Sequence, residues 1–168
     1  MARDLDSLVP DFRGVAQRLL EACSRAGYEM IPFFTLRTPE EQARLWRSSR
    51  SKDEVVAGID WLNKNGAPWL ASVLDGIGPQ FAKAESTKAY PGFSWHQWGE
   101  AMDCYWLENG KARWDGLGYH VYKEQGESQG LTLISWERCH VQLRPESHPG
   151  KIWLIPEIDR IMKERFSA

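Results

Sequence analysis

Cysteine is scarce in this chain: Cys23, Cys104 and Cys139 are the three present in 168 residues. So few, and an odd number, exclude a disulfide-built scaffold, and the fold must rest on a buried apolar core, which a chain of this length can supply. A surplus of charge of one sign is also lacking. With 21 Lys and Arg against 23 Asp and Glu, the formal net charge is -2 and the pI is near 6.1. That balance argues against a general nucleic-acid binder. It also gives no overall attraction to an anionic surface. The short basic run Arg44, Arg47, Arg50 and Lys52 reads as a solvated helix end. No stretch approaches the roughly 20 apolar residues of a membrane helix. The start, Met1-Ala2-Arg3-Asp4-Leu5-Asp6, lacks the charged and apolar regions of a signal peptide. The expectation is a soluble product made in the cytoplasm, monomeric, with one domain over residues 1–168 and no linker or internal repeat.

Tryptophan, by contrast, is abundant, with nine residues. Trp61 and Trp153 fall in apolar runs and are expected in the core, whereas Trp95, Trp98 and Trp136 flank the polar motifs described below and are expected to wall a cleft or to pack.

The order of local signals predicts an α+β fold. Asp11 is placed to cap a first helix with Val15, Leu19, Leu20 and Cys23 on one face and Gly27 near its end. A short strand is expected through Met30 to Leu36. Thr38-Pro39-Glu40-Glu41 has a capping residue, proline at the first position and a glutamate that reaches back. Ser51-Lys52-Asp53-Glu54 repeats the pattern ahead of Val55, Val56, Ile59 and Leu62, and Asn65-Gly66 is a stop. A long loop is expected from Gly76 to Phe93. Asn109-Gly110 reads as a hairpin turn. A helix is expected over Leu117 to Glu127, strands around Leu131 to Ser135 and Cys139 to Leu143, and a last helix from Pro156.

Four histidines are present, and two of them sit in a pattern. His96 belongs to Ser94-Trp95-His96-Gln97-Trp98-Gly99-Glu100-Ala101-Met102-Asp103, and His140 to Glu137-Arg138-Cys139-His140. His120 and His148 fit neither and read as surface or packed side chains. A hydrolytic zinc ion needs three nitrogen or oxygen ligands, an open position for water, and a nearby carboxylate that is not a ligand. His96, Asp103 and His140 supply the first set, and Glu137 is the candidate base. In a strand from Gly99, alternation puts Asp103 on the face of the small residues Gly99 and Ala101. His96 lies in the turn-prone stretch before it. Cys104 and Cys139 neighbour the two ligands, and alternation would turn both thiols to the other side as buried free thiols or a bridge.

The spacing Ser94-x-His96-x-x-Gly99-x-Ala101-x-Asp103, with Glu137-x-x-His140 downstream and Phe34-Thr35-Leu36-Arg37-Thr38-Pro39-Glu40 upstream, resembles the zinc peptidoglycan peptidases. These include D-Ala-D-Ala carboxypeptidases, vancomycin-resistance D,D-peptidases and the L-alanyl-D-glutamate peptidases of phage endolysins. The likeness runs from about Tyr28 to Leu143. It implies a hedgehog/DD-peptidase-like fold: a small antiparallel sheet carrying one Zn(II), with helices around it. It also implies a peptidoglycan stem peptide as substrate, Arg37 as a residue that binds or polarises it, and Ser94 as a substrate contact.

Arg37 suits that role because its planar fork holds a carboxylate or an oxyanion. It also reads as a solvated residue before a helix, and Ser94 as a turn residue. Gln42 reads as structural. Endolysin relatives usually carry aspartate at the base position after a Trp-Gly-Gly-rich segment. Here Gly130-Leu131-Thr132-Leu133-Ile134-Ser135-Trp136 leads into Glu137, closer to the carboxypeptidase and dipeptidase branch. Within the class that the resemblance implies, the missing export signal and small size nevertheless point first to an endolysin-type L-alanyl-D-glutamate endopeptidase and second to a D-Ala-D-Ala carboxypeptidase or dipeptidase. With no linker to set off a second domain, no separate cell-wall-binding domain is expected, and the protein would reach the wall through a holin, lysis or a secretion system. A noncatalytic zinc module and a zinc amidase are the readings from other classes.

Overall fold

A computed structural model describes residues 2–48, 50–78 and 87–167. Among them are seven helices and a five-stranded antiparallel sheet, an α+β architecture. No helix of the described residues is long and apolar enough to cross a membrane. The chain forms two compact units, Met1–Leu36 with Trp98–Pro145, and Arg37–Gln97 with Glu146–Ala168. Each is built from two separate stretches of chain.

The first unit holds α1 (Pro10–Arg25), β1 (Glu29–Phe34), β2 (Ala101–Glu108), β3 (Lys111–Arg113), α6 (Leu117–Ser128), β4 (Thr132–Leu133) and β5 (His140–Gln142). Helix α1 starts at Pro10, whose missing N–H costs nothing in the first turn, so Val9 rather than Asp11 is the boundary residue. Its buried face is Phe12, Ala16, Leu19 and Cys23, shifted from the expected Val15 and Leu20, which are half-buried. Gly27 then takes φ +87°, the left-handed conformation that lets the chain leave the helix for β1.

The sheet order is β1-β2-β5-β4, with β3 also pairing to β2. Strand β2 is central, and its residues alternate in role. Met102, Cys104 and Trp106 are buried in a core with Phe12, Leu19, Met30, Tyr122 and Val141. Asp103 and Tyr105 project to the opposite face. Between β2 and β3, Asn109 and Gly110 take φ +52° and +73° and Glu108 pairs with Lys111. Positive φ at both central residues makes this the tight hairpin that the sequence predicts. Phe12 is fully buried, so Phe12→Ala is expected to lower stability by about 3–5 kcal/mol, read from urea unfolding.

The second unit holds α2 (Pro39–Arg47), α3 (Lys52–Lys64), α4 (Pro68–Gly76), α7 (Ile155–Phe166) and all but the last residue of α5 (Trp95–Trp98). Both expected capping boxes form, Thr38 with Glu41 and Ser51 with Glu54. On α3, Val55 and Leu62 are buried as expected, but Val56 is exposed. Helix α4 begins with Pro68 at its first position, but Ala67 before it offers no side-chain cap. Its cap is Asp159 of α7, whose carboxylate accepts the N–H groups of Leu70 (2.7 Å) and Trp69 (3.4 Å).

Arg47 and Arg50 are not solvated as their sequence run suggested. Arg47 donates to the Leu74 carbonyl at the end of α4. Arg50 donates to the carbonyls of Trp46 and Thr87 and lies over the Trp46 ring. Trp61 is partly exposed, stacked on Tyr90, and Trp153 is half-buried against Trp95. Neither is the core residue expected. The loop expected over Gly76 to Phe93 falls partly on residues 79–86, outside the described residues.

Candidate metal centre

The sheet brings two expected ligands face to face. Strands β2 and β5 run antiparallel with Asp103 opposite His140, and both side chains are buried. His140 Nδ1 lies 3.0 Å from Asp103 Oδ1, and His140 Nε2 lies 3.1 Å from Gln142 Oε1. Burial alone would lower the imidazole pKa. The hydrogen bond and charge of Asp103, with Glu137 and Gln142, outweigh it and hold His140 above its ordinary value. A proton held between an imidazole nitrogen and a carboxylate occupies a place suited to a cation. Gln142 accepts from Nε2, which leaves Nδ1 as the nitrogen aimed at Asp103.

Gln142 was not singled out in the sequence, although the period of two from His140 puts it on the same strand face. The variant Gln142→Leu removes this support and is expected to weaken zinc affinity about 10–100-fold, measured by competition with a chromophoric chelator. A second buried acid, Glu100, is held by Arg144 in a two-point ion pair with contacts of 2.6 and 3.2 Å. It stays outside the ligand set.

His96 sits on α5, a single helical turn, in the stretch before β2 that the sequence marks as turn-prone. It is 3% exposed. The turn is fixed by its own neighbours. The Ser94 N–H donates to Gln97 Oε1, and the Arg37 N–H donates to the His96 carbonyl. Arg37 is itself buried, its Nη1 donating to Gln42 Oε1 at 2.9 Å, so the solvated reading of this residue fails. Gln42 in turn donates to the Ala89 carbonyl and to Thr87 Oγ1, and accepts from Gln97 Nε2. Its expected structural role is therefore the steadying of the segment that carries His96. Gly99, at φ +70°, turns the chain from α5 into β2, a conformation that disfavours any side chain.

The ligand atoms of His96, Asp103 and His140 lie within 4.8 Å of one another. Two imidazoles and one carboxylate, all buried, suit zinc and leave positions for water or substrate. Glu137 lies in the turn before β5, exposed, with its carbonyl accepting the His140 N–H. Its carboxylate, the Asp103 carboxylate and the Cys139 sulfur form a second group within 4.8 Å of one another. Glu137 is thus beside a candidate ligand while outside the strand ladder.

The same group corrects the thiol placement. Cys104 is buried on the core face as expected, but Cys139 precedes β5, so strand alternation does not govern it and its sulfur lies beside Asp103. All three cysteines are free. Burial pushes Cys23 up to about 11 and Cys139 up to about 12, and Cys104 higher still. At pH 8 the native protein is therefore expected to resist Ellman's reagent, whereas the urea-unfolded chain releases three equivalents.

A family model described as D-alanyl-D-alanine carboxypeptidase, VanY, matches residues 6–135. The chain belongs to this family. Membership makes it a metallopeptidase related to the D-Ala-D-Ala carboxypeptidases, and its possible metal group is the His96, Asp103 and His140 set. The VanY match takes in Arg37, Ser94, His96 and Asp103 and ends before Glu137 and His140, which the β2–β5 pairing and the turn before it place beside Asp103. No curated protein matches the chain. Of the flanking tryptophans, Trp95 and Trp98 are buried and Trp136 is 80% exposed, so Trp95 and Trp98 pack inward.

Proposed function

We propose that this VanY-family chain is a zinc-dependent peptidase of the peptidoglycan stem peptide, with His96, Asp103 and His140 as ligands and Glu137 as general base. The observation that carries the reading is the grouping of the three ligand atoms, together with the Glu137 carboxylate beside Asp103. A bound zinc ion supplies positive charge that polarises a carbonyl and acidifies water. Glu137 accepts a proton from the attacking water as its oxygen adds to the scissile carbonyl carbon, then returns that proton to the departing amine nitrogen. The C–N bond breaks and the products are a carboxylate and an amine. Gln142 fixes the His140 ring, and Arg37 and Gln42 hold the turn bearing His96. A substrate role for Arg37 and Ser94 belongs to the same proposal.

The bond proposed is L-alanyl-D-glutamate, the endolysin-type specificity, because the rings of Phe33, Tyr105 and Trp114 pack together beside Asp103 on β2, where they would suit a bond close to the glycan. The family description favours the terminal D-Ala-D-Ala bond as the second reading. Digesting purified sacculi and identifying new termini by mass spectrometry separates them. New N-terminal D-glutamate or its amide supports the first, free D-alanine the second, and an unchanged sacculus with zinc-loaded protein contradicts both.

A further inference from the structure

Strand β2 carries more than Asp103 on its outer face. Tyr105 is the next residue on that side, about 7 Å along the strand. Opposite it, β1 contains an irregularity between Pro32 and Phe34, at which Phe34 pairs with Asp103 and Pro32 with Cys104. Phe33 is the extra residue, and such bulges re-aim side chains. Its ring packs edge-on against Trp114 (4.9 Å between centroids) and Tyr105 (6.3 Å). Trp114, just past β3, also meets Tyr105 at 5.6 Å.

The result is a three-ring platform, with Phe33 and Tyr105 half-buried and Trp114 49% exposed. The exposed Arg3 guanidinium lies over the Phe33 ring, 5.0 Å from its centre, so Trp114 offers the open ring face of the three. An exposed Trp114 backed by the half-buried rings of Phe33 and Tyr105, on the strand that carries a candidate metal ligand, is placed to receive the part of the substrate next to the cut bond.

We infer that Phe33, Tyr105 and Trp114 form a saccharide subsite, which stacks an N-acetylhexosamine ring of the glycan strand while the attached peptide runs to the metal ligands. This rests on the stem-peptide reading above. The ring faces carry the negative side of the aromatic quadrupole, which attracts the polarised C–H face of a pyranose. A platform beginning about 7 Å from Asp103 suits a bond one residue from the sugar, whereas a bond four residues away needs roughly 14 Å of extended peptide.

The zinc-loaded protein is compared on two substrates, the free pentapeptide stem and the same stem linked to its disaccharide, with appearance of each new terminus followed. The disaccharide-linked substrate is expected to have at least about a tenfold higher kcat/KM, through KM, and Trp114→Ala to erase that advantage while Trp114→Phe restores most of it. In parallel, the peptide-free disaccharide is titrated into the protein, and the Trp114 indole N–H resonance is expected to shift. Equal kcat/KM for the two substrates, or equal losses on both in Trp114→Ala, would overturn the subsite, as would an unmoved Trp114 resonance. If the protein cleaves neither substrate yet the resonance shifts, the peptidase reading fails and the saccharide subsite stands.

Discussion

Glu137→Gln should keep its zinc and lose its turnover, with kcat on stem-peptide substrate falling about 10²–10⁴-fold. The substitution preserves size and hydrogen-bonding reach but removes the basic oxygen. It should not disturb the fold. Glu137 is exposed in the turn before β5, and its structural bond to the His140 N–H uses the backbone carbonyl, which glutamine retains. Metal analysis by mass spectrometry and single-turnover kinetics on the same preparation make the test. Undiminished hydrolysis would remove Glu137 from the mechanism, and loss of zinc with loss of activity would recast it as a ligand.

His96→Ala should lose both zinc and activity. Removing one of three ligands leaves Asp103 and His140, which in the metal-free protein satisfy each other through the 3.0 Å contact. Two ligands of that kind hold zinc too weakly to survive dialysis. His96 is buried on a short turn whose bonds run through the backbone carbonyl and the neighbouring Gln97. Circular dichroism of the variant, measured on the same preparation, separates loss of zinc from loss of fold. Retained zinc with full activity in His96→Ala would exclude this residue from the ligand set.

The parts of the fold that were legible in the sequence are those written in adjacent residues. Both capping boxes, the Asn109-Gly110 hairpin and the Pro156 helix start depend on side chains within a few positions of the backbone groups they serve. Helix α4 escaped because its cap is Asp159, far along the chain. Helix α5 escaped because four residues are too few for a periodic signal. The exposed tail of the tryptophan distribution was equally hidden, since an indole in an apolar run does not reveal which side of it meets water.

In the site, the three candidate ligands stood out through spacing, and the pairing of Asp103 with His140 gives that spacing its physical meaning. The supports did not stand out. Gln142 and Gln97 are common residues whose importance comes only from the partners that folding brings to them. Cys139 was misplaced because strand alternation was extended one residue beyond the strand.

The most direct test of the central claim is a zinc titration of chelator-stripped protein, with stem-peptide hydrolysis measured at each addition. Activity should be absent without metal, rise linearly and level off at one zinc per chain, and His96→Ala, Asp103→Ala and His140→Ala should remove the rise. Full hydrolysis by the stripped protein, or activity indifferent to those three residues, would contradict the account.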